Sequence, residues 1–253
     1  MRKKIIAGNW KMNTTPDNGE SLALKIDTFL SGYDIGNSTK VILAVPFTHI
    51  DRIVQIVDSK RVAVAAQNCS QFSSGAYTGE ISAEMIENLG AQFVIIGHSE
   101  RRQYFGENDE TLSLKLQQCY INRLNPIFCC GETLPERAEN IHFDVVKSQI
   151  VNSIKNIDEK NILQTIIAYE PVWAIGTGKT ATSAQAQEMH AFIRKILSEL
   201  FNQNIAENIS ILYGGSVNSA NAAELFRCKD IDGGLVGGAS LKPDDFMTII
   251  KHI

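Results

Sequence analysis

A carboxylate, an imidazole, an ammonium and a carboxamide each stand directly behind a short apolar run in this chain, at Glu170, His98, Lys11 and Asn9. Asn9 and Lys11 belong to Gly8-Asn9-Trp10-Lys11, after Ile5-Ile6-Ala7, and His98 belongs to Gly97-His98-Ser99-Glu100-Arg101-Arg102, after residues 93–96. Glu170 opens Glu170-Pro171-Val172-Trp173-Ala174-Ile175-Gly176-Thr177-Gly178-Lys179, after residues 165–169. Two glycine turns, Gly214-Gly215-Ser216 and Gly237-Gly238-Ala239-Ser240, follow residues 209–213 and 234–236 in the same manner. Together these types suit proton transfer beside a carbonyl: a base, a hydrogen-bond donor for the developing oxyanion, and a cation. Glycine turns add backbone N–H groups that an anion such as phosphate can approach without side-chain obstruction.

Each residue also has a plainer reading. A lone Glu after a strand caps a helix or pairs with an Arg. Glu170, however, is followed by the stiff Pro171 and Trp173 and then by the small residues 176–178, the composition of a hinge and a closing lid. Closure would exclude water and strengthen the base. An isolated His is as often a satisfied core residue as a functional one. Ser99 and Glu100 read as the start of a helix, whose positive end disfavours imidazolium and predicts a neutral donor at His98. Lys11 alone would be a solvated charge; beside Asn9 at a strand end it can meet a phosphate.

Positioning these groups requires one element per motif. The apolar runs 5–7, 41–45, 62–66, 93–96, 127–130, 165–169, 209–213 and 234–236 are continuous, as expected of strands buried on both faces of a parallel sheet. Between them lie helical spacings: Leu22, Ile26, Phe29 and Leu30; Leu112, Leu116, Cys119 and Tyr120; Met189, Phe192, Ile193, Ile196 and Leu197. Asp109, Ser183 and Asp244 are candidate caps, and Pro243 suits a first helical turn. About eight strand–helix units result. An open doubly wound sheet would spread the motifs along an edge, whereas a closed (β/α)8 barrel gathers all of them at one mouth and puts the glycine turns in loops seven and eight, where barrels commonly hold phosphate. The single-domain α/β barrel is the expected fold, spanning residues 1–253, with no linker or shift in composition.

Composition agrees. The chain has 253 residues, 44% hydrophobic and 21% charged, enough to bury a large core without staples. A net charge of −4 argues against general nucleic-acid binding and means that an anionic substrate must be drawn in by a local field. The five cysteines (Cys69, Cys119, Cys129, Cys130, Cys228) lack CxxC spacing, and Cys129-Cys130 read as core, so reduced thiols are expected. No run has the length of a signal peptide or a membrane span, which predicts a soluble cytoplasmic protein with no membrane partner. Two further motifs carry little. Gly178-Lys179-Thr180 ends like a phosphate-binding loop, but Trp173 stands where the first glycine is required. Residues 176–181 fit a dinucleotide fingerprint, yet they begin well past the strand end and Glu199 falls within a helix.

Taken in order, Gly8-Asn9-Trp10-Lys11-Met12-Asn13, the motif from Gly97 to Arg102, Tyr213-Gly214-Gly215-Ser216-Val217 and Val236-Gly237-Gly238-Ala239-Ser240-Leu241 resemble those of the triosephosphate isomerase family. The stretch from Ala168 to Lys179 resembles the family's signature at every position, and the resemblance runs from Gly8 to Pro243. It implies interconversion of dihydroxyacetone phosphate and glyceraldehyde 3-phosphate, a step of glycolysis and gluconeogenesis, with Glu170 as base and a neutral His98 as electrophile. The pairing of a carboxylate base with a neutral histidine is an established pattern for this family. Asn9 and Lys11 would act on the enediolate oxygens, while the backbone N–H groups of Gly176, Ser216, Gly237 and Gly238 would hold the phosphate. The resemblance implies no metal or organic cofactor. It also implies a homodimer, in which residues 67–80, with Thr78 near the tip, reach the partner's site; by composition that loop is only polar and rich in Gly and Ser. The competing expectations are another phosphate-binding barrel, which would lack the four-residue set, and a catalytically silent regulator, which would have lost one of them.

Overall fold

The structure is a computed structural model that describes residues 2–36, 38–176 and 180–253. Residues 177 and 178 of the expected lid tip at 176–178 lie outside the described residues, as do two of the three residues of one weak nucleotide-like motif and three of the six of the other. Eight parallel strands close into a barrel in sequence order: β1 (Lys4–Asn9), β2 (Thr39–Val45), β3 (Val62–Ala66), β4 (Phe93–Ile96), β5 (Asn125–Cys130), β6 (Ile166–Tyr169), β7 (Ile211–Tyr213) and β8 (Gly233–Val236). Closure is made by β1 against β8, with Ile5 opposite Gly233 and Gly8 opposite Val236.

Continuous apolar runs are needed because both strand faces are buried. Ile5, Ala7, Ile42, Ala44, Ala63, Ala65, Ile95, Ile127, Ala168 and Leu212 point inward into a small central core. Their neighbours Ile6, Val41, Leu43, Val64, Val94, Phe128 and Ile167 point outward under the helices, in the larger core. The period-two split of one run between two cores is what a barrel demands of its strands.

The helices follow the expected spacings. Pro16–Ser31 buries Leu22, Ile26 and Leu30; Asp109–Ile121 buries Leu112, Leu116 and Cys119; Ser183–Leu200 buries Met189, Ile193, Ile196 and Leu197. Phe29, Tyr120 and Phe192 are only partly buried against the same core. The cap assignments shift toward the N-terminus. Asn108 and Thr182 cap through their side chains, so that Asp109 and Ser183 are first helical residues. Lys242 precedes Pro243–Ile250, leaving Asp244 in the first turn. An Asp in that turn still meets the helix dipole favourably, which is why sequence alone does not separate it from a cap. The seventh strand also starts later than expected: Ile209 and Ser210 precede it. Ser210 donates its hydroxyl to the Lys3 carbonyl, and its own carbonyl accepts from the Ile167 amide.

All five cysteines are free, with Cys129 and Cys130 buried. Among the described residues no helix is long and apolar enough to cross a membrane.

Candidate active site

The loops that follow β1, β4, β6, β7 and β8 meet at the carboxyl end of the barrel around a cavity of about 600 Å³. Asn9, Lys11, His98, Gly176, Ser216, Gly237 and Gly238 all line it. Glu170 does not line it, being 1% exposed and turned behind the wall. One carboxylate oxygen lies 3.0 Å from His98 Nε2, and Ser99 grips the group with its backbone N–H to Oε2 at 2.9 Å and its hydroxyl to Oε1 at 3.2 Å. The eight expected residues are therefore brought together, seven on the wall and one held directly against it.

Local geometry explains the arrangement. Gly97 has φ +74°, and a Cβ there would come within 2.7 Å of Leu112 Cδ1; this left-handed turn swings the chain from β4 into the helix Ser99–Phe105. His98 is that helix's N-cap, and its Nδ1 accepts the Glu100 amide at 3.3 Å. An Nδ1 that accepts leaves the ring proton on Nε2, facing Glu170. Gly214 is glycine because a Cβ would approach Glu170 Cγ to 2.9 Å and the Tyr169 carbonyl oxygen to 3.1 Å.

Lys11 has a left-handed backbone, φ +52°, an uncommon state for a side-chain-bearing residue and one that concentrates at functional sites. Its amide donates to Asn9 Oδ1 at 3.0 Å, and its carbonyl accepts from Gln67 Nε2 at 2.9 Å, which over-determines the turn. The ammonium reaches Glu100 Oε1 at 2.5 Å. On the glycine side, the Gly237 carbonyl accepts from the Ser240 amide at 2.8 Å and from its hydroxyl at 2.7 Å. In a trans peptide the following N–H, that of Gly238, points the opposite way. Asn221 Nδ2 holds the Ser216 carbonyl in a similar manner at 2.9 Å. The wall thus offers amide N–H groups, a carboxamide and an ammonium, a set suited to an anion.

The helix end is not the only influence on the charge of His98. Burial opposes charge on His98, but Glu170 at hydrogen-bond distance prevails, and the pKa of His98 is raised above its ordinary value. Glu170 shows the reverse: burial pushes its pKa up, while His98 and the Ser99 donors more than offset this and hold it below the usual carboxylate range. The helix-end argument omitted the partner that faces the ring.

Sequence reasoning missed four supporting residues. Ser99 was read only as helix start, and Glu100 was not seen as the partner of Lys11. Gln67 braces the Lys11 turn. Glu132, fully buried after β5, accepts from Tyr169 Oη at 2.9 Å, from Trp173 Nε1 at 2.8 Å and from Arg137 at 3.1 Å, and so ties down the first turn of the β6 loop. Its place behind a strand was a signal, but partners 37 and 41 residues away were not readable.

Against this geometry, comparison with known proteins is decisive. The triosephosphate isomerase family model matches residues 4–253. The chain belongs to the triosephosphate isomerase family. It is thereby an aldose–ketose isomerase. The chain is 52% identical over 251 residues to the triosephosphate isomerase of Porphyromonas gingivalis, covering 99% of each. It is 48% identical over 251 residues to that of Cytophaga hutchinsonii, again with 99% of each covered. With the triosephosphate isomerase of Acetivibrio thermocellus it shares 48% over 251 residues, 99% of this chain and 98% of the other.

Proposed function

We propose that this chain interconverts dihydroxyacetone phosphate and D-glyceraldehyde 3-phosphate through an enediolate, in glycolysis and gluconeogenesis. The observation that carries the reading is the Glu170–His98 contact at 3.0 Å, set in the wall of a cavity lined by Asn9, Lys11 and the glycine turns. A base and a donor are already aligned there, next to groups for an anion.

In the ketose-to-aldose direction the Glu170 carboxylate takes a proton from C1. The C1–H electrons become the C1–C2 double bond, and the C2 carbonyl electrons move onto its oxygen. His98 Nε2–H donates to that oxygen, and the imidazole passes a proton between O2 and O1. Lys11 and Asn9 stabilise the negative charge meanwhile. The protonated Glu170 then returns its proton to C2, leaving the aldehyde at C1. To reach C1 the carboxylate must leave Ser99 and turn into the cavity, and the same turn frees His98 Nε2–H for the substrate oxygen. Loss of the Glu170 charge from its side lowers the pKa of His98, which favours the neutral imidazole whose Nε2–H donates to the substrate. Backbone N–H groups of Gly176, Ser216, Gly237 and Gly238 hold the phosphate. Binding energy from that remote group can drive lid closure and protect the enediolate from losing phosphate. The reaction as written needs no metal or organic cofactor.

The enzyme acts as one catalytic domain over residues 1–253, cytoplasmic and homodimeric, with Thr78 of the 67–80 loop entering the partner. Available for burial in such a dimer are Met12, Met85, Tyr104 and Phe105, which are 96%, 56%, 69% and 67% exposed. The loop is also internally ordered: Phe72 and Tyr77 stack at 3.9 Å, and Ser70 N–H bonds to the Ile81 carbonyl.

A coupled assay of wild type and Glu170→Asp with glyceraldehyde 3-phosphate tests the reading. Shortening the carboxylate by one methylene keeps its charge and spoils its reach, so kcat falls by about two orders of magnitude or more. An equally active variant removes Glu170 as base; an inactive wild type removes the reaction.

A further inference from the structure

The cavity has an electrostatic problem that the residues assigned above leave unsolved. The molecule carries net −4 and repels a phosphodianion at long range. Lys11 does little to reverse this from a distance, because its ammonium sits 2.5 Å from Glu100 Oε1 and the two charges nearly cancel for an approaching anion. Among the described residues that line the cavity, the remaining side chains with a full charge are Lys242 and Asp245.

Lys242 lies just beyond the Gly238–Leu241 turn, on the same side as the proposed phosphate groups. Its backbone is fixed, with the amide donating to the Ala239 carbonyl at 3.2 Å and the carbonyl accepting from the Phe246 amide at 3.0 Å. Its side chain is free to move: it is 76% exposed, and its ammonium is 4.0 Å from Asp245 Oδ2, at the outer limit of an ion pair. Exposed pairs of this kind hold weakly. The ammonium can leave Asp245 for an incoming dianion, whereas Lys11 is more enclosed, at 28% exposure.

We infer that Lys242 is a steering residue: its mobile ammonium at the cavity mouth draws the phosphorylated substrate in, and Asp245 beside it tempers that field. The inference rests on the phosphate reading above and extends it to a residue outside the expected set. Such steering acts on capture, hence on kcat/KM, and leaves kcat unchanged. It also weakens with salt, since the screening length shrinks from about 30 Å at 0.01 M to about 8 Å at 0.15 M.

The test is steady-state kinetics of wild type, Lys242→Met, Lys242→Glu and Asp245→Asn at about 0.01 M and about 0.3 M ionic strength. Glyceraldehyde 3-phosphate is the charged substrate, and unphosphorylated glyceraldehyde, followed by proton NMR, is the neutral one. At low salt Lys242→Met lowers kcat/KM for the phosphate ester about three- to tenfold, Lys242→Glu lowers it further and Asp245→Asn raises it. At high salt the four proteins converge, and with glyceraldehyde they are alike at both salts. Wild-type kcat/KM in the Lys242 variants at low salt overturns the inference. So does a loss that persists at high salt or extends to glyceraldehyde, since either marks a structural role. A wild type without activity on the phosphate ester defeats the proposed function itself and this inference with it, whereas an active wild type with indifferent variants defeats steering alone.

Discussion

The central residue pair is electrostatically reciprocal. His98 is raised and Glu170 lowered because each faces the other in a buried setting. The signs fix the pH window of the contact. A depressed carboxylate contributes stability above its unfolded pKa and loses it as pH falls through the folded value; a raised imidazole contributes below its ordinary 6.5 and loses it as pH rises through the folded value. The pair therefore stabilises the closed-up Glu170 position between those two limits. Glu170→Gln deletes the charge while keeping the shape. In that variant burial and the Lys11 charge act on the ring with less opposition, and the His98 pKa falls relative to wild type. Imidazole nitrogen shifts followed by NMR titration measure this; an unchanged midpoint would mean that Glu170 does not face the ring in solution. At this scale the sequence was informative about residue type and nearly silent about orientation. Glu170 and His98 stood out by position, but the Ser99 clasp depends on two loops separated by 71 residues.

Elements hold the site through buried charge at the other end of the barrel as well. Arg194, on the inner face of the helix Ser183–Leu200, donates to Asp230 Oδ1 at 2.7 Å and to Asp232 Oδ2 at 2.9 Å, and also to the Ala206 and Ile209 carbonyls. Asp232 Oδ2 in turn accepts the Ile211 amide at the start of β7. The cluster pins β7 and the approach to β8, the two strands that carry the glycine turns. Arg194→Met leaves both carboxylates short of their main partner and lowers unfolding free energy by about 3–5 kcal/mol, measurable by urea denaturation. Loss of less than about 1 kcal/mol would mean that Arg2, 2.8 Å from Asp232 Oδ1, compensates alone. Smaller and more local is the cap on the same helix, where the Thr182 hydroxyl accepts the Gln185 amide and Gln185 Oε1 accepts the Thr182 amide. Thr182→Ala lowers stability by about 1 kcal/mol in the same titration. The spacing of Met189, Ile193, Ile196 and Leu197 marks the apolar face of this helix and says nothing of Arg194; only its partners' position makes it structural.

For the whole molecule the prediction concerns assembly. The proposed dimer would bury the tip of the 67–80 loop, and Met12, 96% exposed, is free to be buried with it. Thr78→Arg puts a long charged side chain on the loop tip. Sedimentation should show a dimer for wild type and a shift to monomer for the variant at micromolar concentration, with kcat falling at least about tenfold in parallel. A wild type that sediments as a monomer with full activity would end the dimer proposal.

The sequence by itself determined the alternation of strand and helix, the burial of both strand faces and the identity of the groups at the strand ends. Those properties are local: apolar runs, 3.6-residue spacing, glycine and proline positions. Closure of the barrel was legible only indirectly, because motifs scattered over the chain make chemical sense only if the strands form a ring. Tertiary structure alone decided which partner each polar group faces. Glu170 turned onto His98 and Ser99, Lys11 paired with Glu100, Glu132 buried beneath Trp173, and Arg194 locked between two aspartates are all contacts between elements distant in sequence. Electrostatic and hydrogen-bond energies depend on distances of a few ångströms and on the loss of water around the pair. Residue type states what a group can do; the packing of the whole barrel fixes what it meets.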